Sequence, residues 1–371
     1  MLRKKQLFLI CTGLGIVQRG FETYMSDLSD KLQTTNALFT TKLYTGGNYY
    51  SSFNNSKKLF CISRTNRFCI QLIGKNNTAE LELISFFFSL LVEILFKKPN
   101  AIYLGEYKLY CYLFKIRKLL NLDYSLVLYT GGQVSPGLYN IKKDFVHHIT
   151  DVYYNDLVKK GYPKARQFVL PHFVTINYKP TSIDKCIYEA KSIGKKIIIS
   201  VGVIDESIKR MGFFVKILSH QPNIYFPVLL GESSNETPGI ITALDSSFGK
   251  GNYFVDRVNR STLYSYLNES DVFVLLSKKE SFGLAALEAI SVGLPVICCD
   301  FYESRYVLKN SASLIDCNNI DEIRNKLKDT LDHPLSLLEK QERINFVKEN
   351  YIWDVLEKAY LNMFNTAVQN N

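Results

Sequence analysis

The sequence predicts a two-domain, doubly wound α/β architecture on three observations. The chain has 371 residues, more than one hydrophobic core usually organises. Short apolar runs alternate with helix-periodic segments through both halves, the pattern of parallel strands joined by crossover helices. Finally, the stretch Glu280-Ser-Phe-Gly-Leu-Ala-Ala-Leu-Glu288 follows the apolar run from Asp271 to Leu276 and leads into a helix. Glu280 thus stands at the carboxyl end of a buried strand, where α/β sheets open their ligand crevices.

In the first half, apolar runs predict strands at 6–11, 37–43, 59–63, 101–104, 126–129 and 168–170. Helical spacing falls between them at 20–32, 80–96, 107–120 and 151–160. Pro171 to Ile176, with the polar residues after it, marks a crossing into a second domain. There, strands are expected at 196–201, 225–230, 253–255, 272–276 and 295–299, and helices at 209–219, 261–268 and 282–292. Gly293-Leu-Pro295 stops the last of these. Amphipathic helices at 321–332, 334–350 and 353–364 complete the chain.

Hydrophobic residues make up 47% and charged residues 22%, an ordinary globular balance. The eight cysteines form no C-x-x-C pair and are expected to be reduced, buried apolar side chains of a cytoplasmic protein. The start, Met1 to Cys11, imitates a signal peptide, but no small-residue cleavage site follows, and a first strand is expected instead. The run Ile84 to Val92 is too short to span a bilayer and reads as a helix buried against the sheet. Charge is uneven. Residues 1–173 hold 23 Lys and Arg against 11 Asp and Glu, whereas residues 174–371 hold 22 against 24. A biased genome would raise both halves alike, so the basic first half points to an anionic acceptor or membrane surface. No nucleic-acid motif accompanies the charge, and nucleic acid is not expected as a partner.

Two carboxylates eight residues apart, with Ser281 as N-cap and the N–H groups of Phe282, Gly283 and Leu284 facing an anion, suit a ligand that combines phosphates with sugar hydroxyls. The segment from Asp271 to Val296, with its D-V-F-V-L-L-S, S-F-G-L and A-x-x-x-G-L-P-V, resembles the E-x7-E signature of retaining GT-B glycosyltransferases of the family 4 type. That resemblance implies two Rossmann-like domains facing across a cleft, with domains at 1–173 and 174–350 and a last segment, 351–371, crossing back to the first. It also implies that Glu280 contacts the donor sugar and Glu288 the ribose hydroxyls.

Three further segments take roles by the same resemblance. Gly13 and Gly15, in a glycine-containing loop after the first strand, would approach the donor diphosphate and the acceptor. Gly202 with Lys209 and Arg210 resembles a V-G-R…K-G segment. Lys209 matches its lysine, Val203 replaces its arginine, and Arg210 is the candidate for the missing charge. A Lys-Arg pair at a helix start opposes the helix dipole unless an anion is present. Val258 matches the position whose backbone meets the nucleobase. Asp300 to Arg305 carries bulky residues where the family has a glycine turn, and no role transfers. Many relatives place a histidine near Tyr129 to Gln133, and this chain has none. His147, His148 and His172 read as hydrogen-bonded structural side chains. No metal-ligand set, D-x-D included, is present in the sequence, and no cofactor is expected beyond the nucleotide diphosphate sugar as co-substrate.

The expected activity is metal-independent hexosyl transfer, with retention, from a nucleotide diphosphate sugar to a hydroxyl of a saccharide, a lipid-linked or an anionic glycan acceptor. The expected location is the cytoplasm, with a peripheral place on the membrane face. The alternatives are a nucleotide-sugar hydrolase or epimerase of the same fold, and a non-catalytic nucleotide-sugar-binding module.

Overall fold

A computed structural model describes residues 4–17, 19–35, 37–49, 53–131, 144–176 and 181–370, the side chains of Lys75 and Asn76 excepted. The loop expected to hold a histidine in relatives, 129–133, passes outside these residues at 132. The chain divides into two compact units, Met1–His172 with Leu356–Asn371, and Phe173–Val355.

The first unit is a seven-stranded, wholly parallel sheet. Its strands are β1 (Lys5–Cys11), β2 (Phe39–Thr45), β3 (Ser56–Lys58), β4 (Ala101–Leu104), β5 (Ser125–Tyr129), β6 (Phe145–His148) and β7 (Gln167–Val169), in spatial order β3-β2-β1-β4-β5-β6-β7. Period-two alternation divides the strand side chains between two cores. Phe8, Ile10, Ile102, Leu104, Leu126 and Leu128 pack with the helices Lys75–Lys97 and Tyr107–Leu119. On the other side, Tyr103, Tyr129 and His147 meet Tyr24 of the helix Gly20–Thr34 and Tyr360 and Phe364 of the helix Trp353–Gln369.

Two sequence expectations fail here. The apolar residues 59–63 are not a strand; the polar edge segment β3 pairs just before them. An edge strand needs only one row of partners, so its composition gives little signal. The second concerns the helix Lys75–Lys97, which is buried on one face only, through Phe86, Leu90 and Ile94. Ile84, Phe88, Val92, Leu95 and Phe96 are exposed.

The histidines are structural, as expected. His147 Nε2 faces the Leu170 carbonyl at 2.8 Å and must donate to it. Its Nδ1 therefore accepts from the Tyr103 hydroxyl, also at 2.8 Å. His148 Nε2 lies 3.0 Å from Gln167 Oε1, and His172 Nε2 lies 2.7 Å from the Tyr129 hydroxyl. Burial lowers His147 to about 3 and His148 to about 4, and holds His172 well below its usual value. All three are neutral at pH 7 and ill suited to take up a proton.

The second unit repeats the plan with β8 (Lys196–Val201), β9 (Tyr225–Leu230), β10 (Phe254–Asp256), β11 (Val272–Leu275), β12 (Val296–Cys299) and β13 (Ser313–Ile315), all parallel, in order β10-β9-β8-β11-β12-β13. Both sheets therefore reverse their winding once, between β1 and β4 and between β8 and β11. In each sheet by itself, the reversal opens a crevice at the carboxyl ends of its own strand pair. Cys299 and Cys317 form a disulfide, with their Cα atoms 5.2 Å apart. This corrects the expectation of eight reduced thiols, so cysteine usage no longer argues for a reducing compartment. Adjacency of β12 and β13 brings the pair together across an 18-residue separation that carries no motif.

Candidate active site

At the switch point of the second sheet, the loop after β8 meets the loop after β11. Gly202 and Gly231 end neighbouring strands in close approach. A Cβ on Gly231 would lie 1.7 Å from the Gly202 carbonyl oxygen, so no side chain fits there. Beyond Gly202 the chain folds over Asp205, whose Oδ1 accepts from the N–H groups of Ile208 at 3.0 Å and Lys209 at 2.6 Å. The Ile208 carbonyl then accepts from Lys278 N at 2.8 Å, tying the two loops together.

Lys209 is thereby delivered to Glu280. Its Nζ lies 2.7 Å from Glu280 Oε2, and both side chains are about one-fifth exposed. Its aliphatic stem covers Gly202. Ser277 Oγ lies 3.5 Å from the same carboxylate oxygen. A small pocket beside the pair is lined by Ser277, Glu280, Phe282, Gly283, Cys298 and Phe301.

The helix carrying the second glutamate is Leu284–Ser291, and its N-cap is Gly283 in the left-handed conformation, φ +80°. Ser281 is not the cap. Phe282 is buried against Tyr351, which turns the chain before the helix starts. The helix-end N–H groups therefore belong to Leu284 and the residues after it, rather than to Phe282 and Gly283. Glu288 is buried in this helix and pairs with Arg260 at 3.1 Å. Arg260 opens the helix Arg260–Glu269, whose N-cap Asn259 accepts from Thr262 N. Val258 lies just upstream, in the segment between β10 and that helix.

Arg210 does not join Lys209. It takes a left-handed φ of +54° before the helix Met211–Leu218, stacks its guanidinium 4.0 Å from the Phe213 ring centroid, and donates to the Cys317 carbonyl at 2.9 Å. Asp300 and Arg305 pair with each other at the surface.

In the first unit, Thr12 donates from N and Oγ1 to Glu106 Oε1, at 3.1 and 2.6 Å, joining the loops after β1 and β4. Gly13 leaves room for Glu22, whose Oε1 would be 2.3 Å from a Cβ there. Gly15 packs on the backbone of Gly47 and Asn48. Burial pushes the Glu106 carboxyl above the usual range, and the charge of Glu22 adds to the shift. The Gly13 loop is thus flanked by two carboxyl groups, of which Glu22 is paired with Arg19 at 3.2 Å.

Of the residues expected from the sequence, this unit brings Lys209 to Glu280 over Gly202 and pairs Glu288 with Arg260. Asp205 and Arg260, which hold them, were not expected. An Asp four residues before the lysine carries a faint turn signal. Arg260 carries none, because its partner lies in a separate helix.

With this geometry in view, similarity to known proteins becomes specific. Residues 188–350 match the glycosyl transferases group 1 family. A UDP-Gal:alpha-D-GlcNAc-diphosphoundecaprenol alpha-1,3-galactosyltransferase of Escherichia coli is 34% identical over 114 residues, covering 27% of this chain and 30% of that protein. The chain therefore spans under a third of the length of this relative. Among solved structures, a sucrose-phosphate synthase from Thermosynechococcus elongatus superposes with a TM-score of 0.77 at 15% identity, covering 98% of this chain and 100% of its own. The Anabaena protein HepE, in complex with UDP-glucose, gives 0.74 at 11% identity, with 97% and 99% covered. The fold is GT-B, as the resemblance implied.

Proposed function

We propose that this chain is a retaining, metal-independent hexosyltransferase that uses a UDP-sugar and a hydroxyl acceptor on a lipid-linked or anionic glycan. The observation that carries the reading is the Lys209–Glu280 pair, held across the switch point of the group 1 domain. The UDP-galactose named for the Escherichia coli relative and the UDP-glucose bound to HepE support the choice of donor.

In this reading the bond between the sugar C1 and the diphosphate oxygen breaks, and a C1–oxygen bond forms to the acceptor hydroxyl on the same face. The acceptor's proton passes to the departing diphosphate. Lys209 and the N–H groups at the start of the helix Leu284–Ser291 stabilise the charge on that diphosphate. Without donor, Glu280 neutralises Lys209; with donor, Glu280 holds the sugar hydroxyls and fixes the ring. Glu288 accepts from the ribose hydroxyls, and Arg260 holds its carboxylate in place. A carboxylate has enough lone-pair sites to serve both. In the first unit, Glu22 and Glu106 offer carboxyl oxygens that can accept from acceptor hydroxyls.

The anomeric configuration of the product, read by NMR, tests this. A UDP-α-hexose is expected to give an α-linked product only when acceptor is present. A β-linked product, or free sugar released without acceptor, would overturn the reading.

A further inference from the structure

We propose that the first unit docks on an anionic lipid bilayer through an apolar face formed by Phe60, Phe68, Leu72, Phe88, Val92 and Phe96, which deepens the reading of a lipid-linked acceptor. The long helix Lys75–Lys97 buries Phe86, Leu90 and Ile94 in the core. On its solvent side, positions 84, 88, 92 and 96 recur every four residues, and each is apolar. Phe88 is 62% and Phe96 80% exposed, where a helix on a water-facing surface carries polar residues.

The neighbouring segments extend the same surface. The Phe60 carbonyl accepts from Ser89 Oγ of the long helix at 2.9 Å, and the Phe60 side chain is 71% exposed. The short helix Arg67–Ile73 leads through Gly74 into the long one and buries none of its residues. It presents Phe68, 69% exposed, and Leu72. The described residues thus leave the apolar side chains of this helix uncovered.

Charge identifies that partner. Residues 57–120 hold 11 Lys and Arg against 4 Asp and Glu. Three of the four acids are matched within the protein: Glu80 by Lys108, Glu82 by Arg64 and Glu93 by Lys57. The fourth, Glu106, accepts from Thr12 away from this face. Lys58, Arg67 and Lys98, each within two residues of Phe60, Phe68 or Phe96, are exposed. Apolar side chains rimmed by cations suit the boundary between acidic headgroups and acyl chains. A second copy of the chain fits worse, because a two-fold contact would set one basic rim against another. No helix among the described residues is long and apolar enough to cross a membrane, so the surface lies on the bilayer rather than through it.

Co-sedimentation of the full chain with vesicles of phosphatidylglycerol and phosphatidylcholine, and of phosphatidylcholine alone, tests the proposal at low and high salt. The wild type is expected to bind the anionic vesicles, more weakly at high salt. The double variant Phe88→Ser/Phe96→Ser, at exposed positions, is expected to lose at least about tenfold in affinity while its circular dichroism is unchanged. Absent wild-type binding, or equal binding by the variant, would overturn the proposal, as would a wild-type dimer that the variant dissociates. Transfer to a water-soluble acceptor is read separately. Its persistence without vesicle binding sinks the docking surface alone, and vesicle binding without transfer sinks the enzymatic reading alone.

Discussion

Lys209→Ala is expected to lower kcat for sugar transfer by about 10²–10³-fold, the usual loss when one group that stabilises developing anionic charge is removed. KM for the donor should change far less, because negative charge on the departing diphosphate grows only as the glycosidic bond breaks. The Lys209–Glu280 pair is about one-fifth exposed on each side, so breaking it costs between the roughly 1 kcal/mol of an exposed pair and the about 3–5 kcal/mol of a buried one. Steady-state kinetics and a denaturant midpoint on the same preparation therefore separate chemistry from folding. Lys209→Arg should recover part of the rate if charge is what matters. Equal kcat for Lys209→Ala and wild type would remove Lys209 from the mechanism.

Asp144→Ala should destabilise the first unit by about 3–5 kcal/mol, the range for removing one partner of a buried ion pair. Asp144 is buried, and its carboxylate accepts from Arg117 Nη1 and Nη2 at 2.6 and 2.8 Å, from the Tyr110 hydroxyl at 2.8 Å and from Leu126 N at 3.1 Å. Its loss leaves the mostly buried Arg117 guanidinium with the Tyr124 carbonyl but no counter-charge, and the buried Tyr110 hydroxyl without its acceptor, just before β6. Asp144→Asn, which keeps the shape and one acceptor, should cost less. Urea unfolding followed by circular dichroism reads both variants. A midpoint shift below about 1 kcal/mol for Asp144→Ala would show that the pair adds little.

The sequence made the strands near the switch points legible because strands buried on both faces are unbroken apolar runs. β8, β9 and β11 fall within one residue of expectation. Polar or punctuated elements were less readable. The helix Thr237–Phe248 begins Thr-Pro-Gly, which interrupts a helical pattern even though proline is favoured in a first turn. At the candidate site, Glu280 and Glu288 were legible because strand, turn and helix around them are local. Ser281 was the expected cap on propensity alone, and the burial of Phe282 shifted the helix start to Leu284. Arg260 and the Cys299–Cys317 disulfide depend on contacts between distant elements, which no local spacing reveals.

A nucleotide-sugar site on the carboxyl ends of β8 and β11 requires that UDP bind this protein through Glu288. Calorimetric titration of UDP into the wild type and Glu288→Ala, with the unfolding temperature read alongside, measures this. Saturable binding to the folded wild type is expected, with at least about tenfold weaker binding to the folded variant, the effect of losing a hydrogen bond to a charged group. Equal affinity in the two proteins, or no heat from UDP with either, would contradict it.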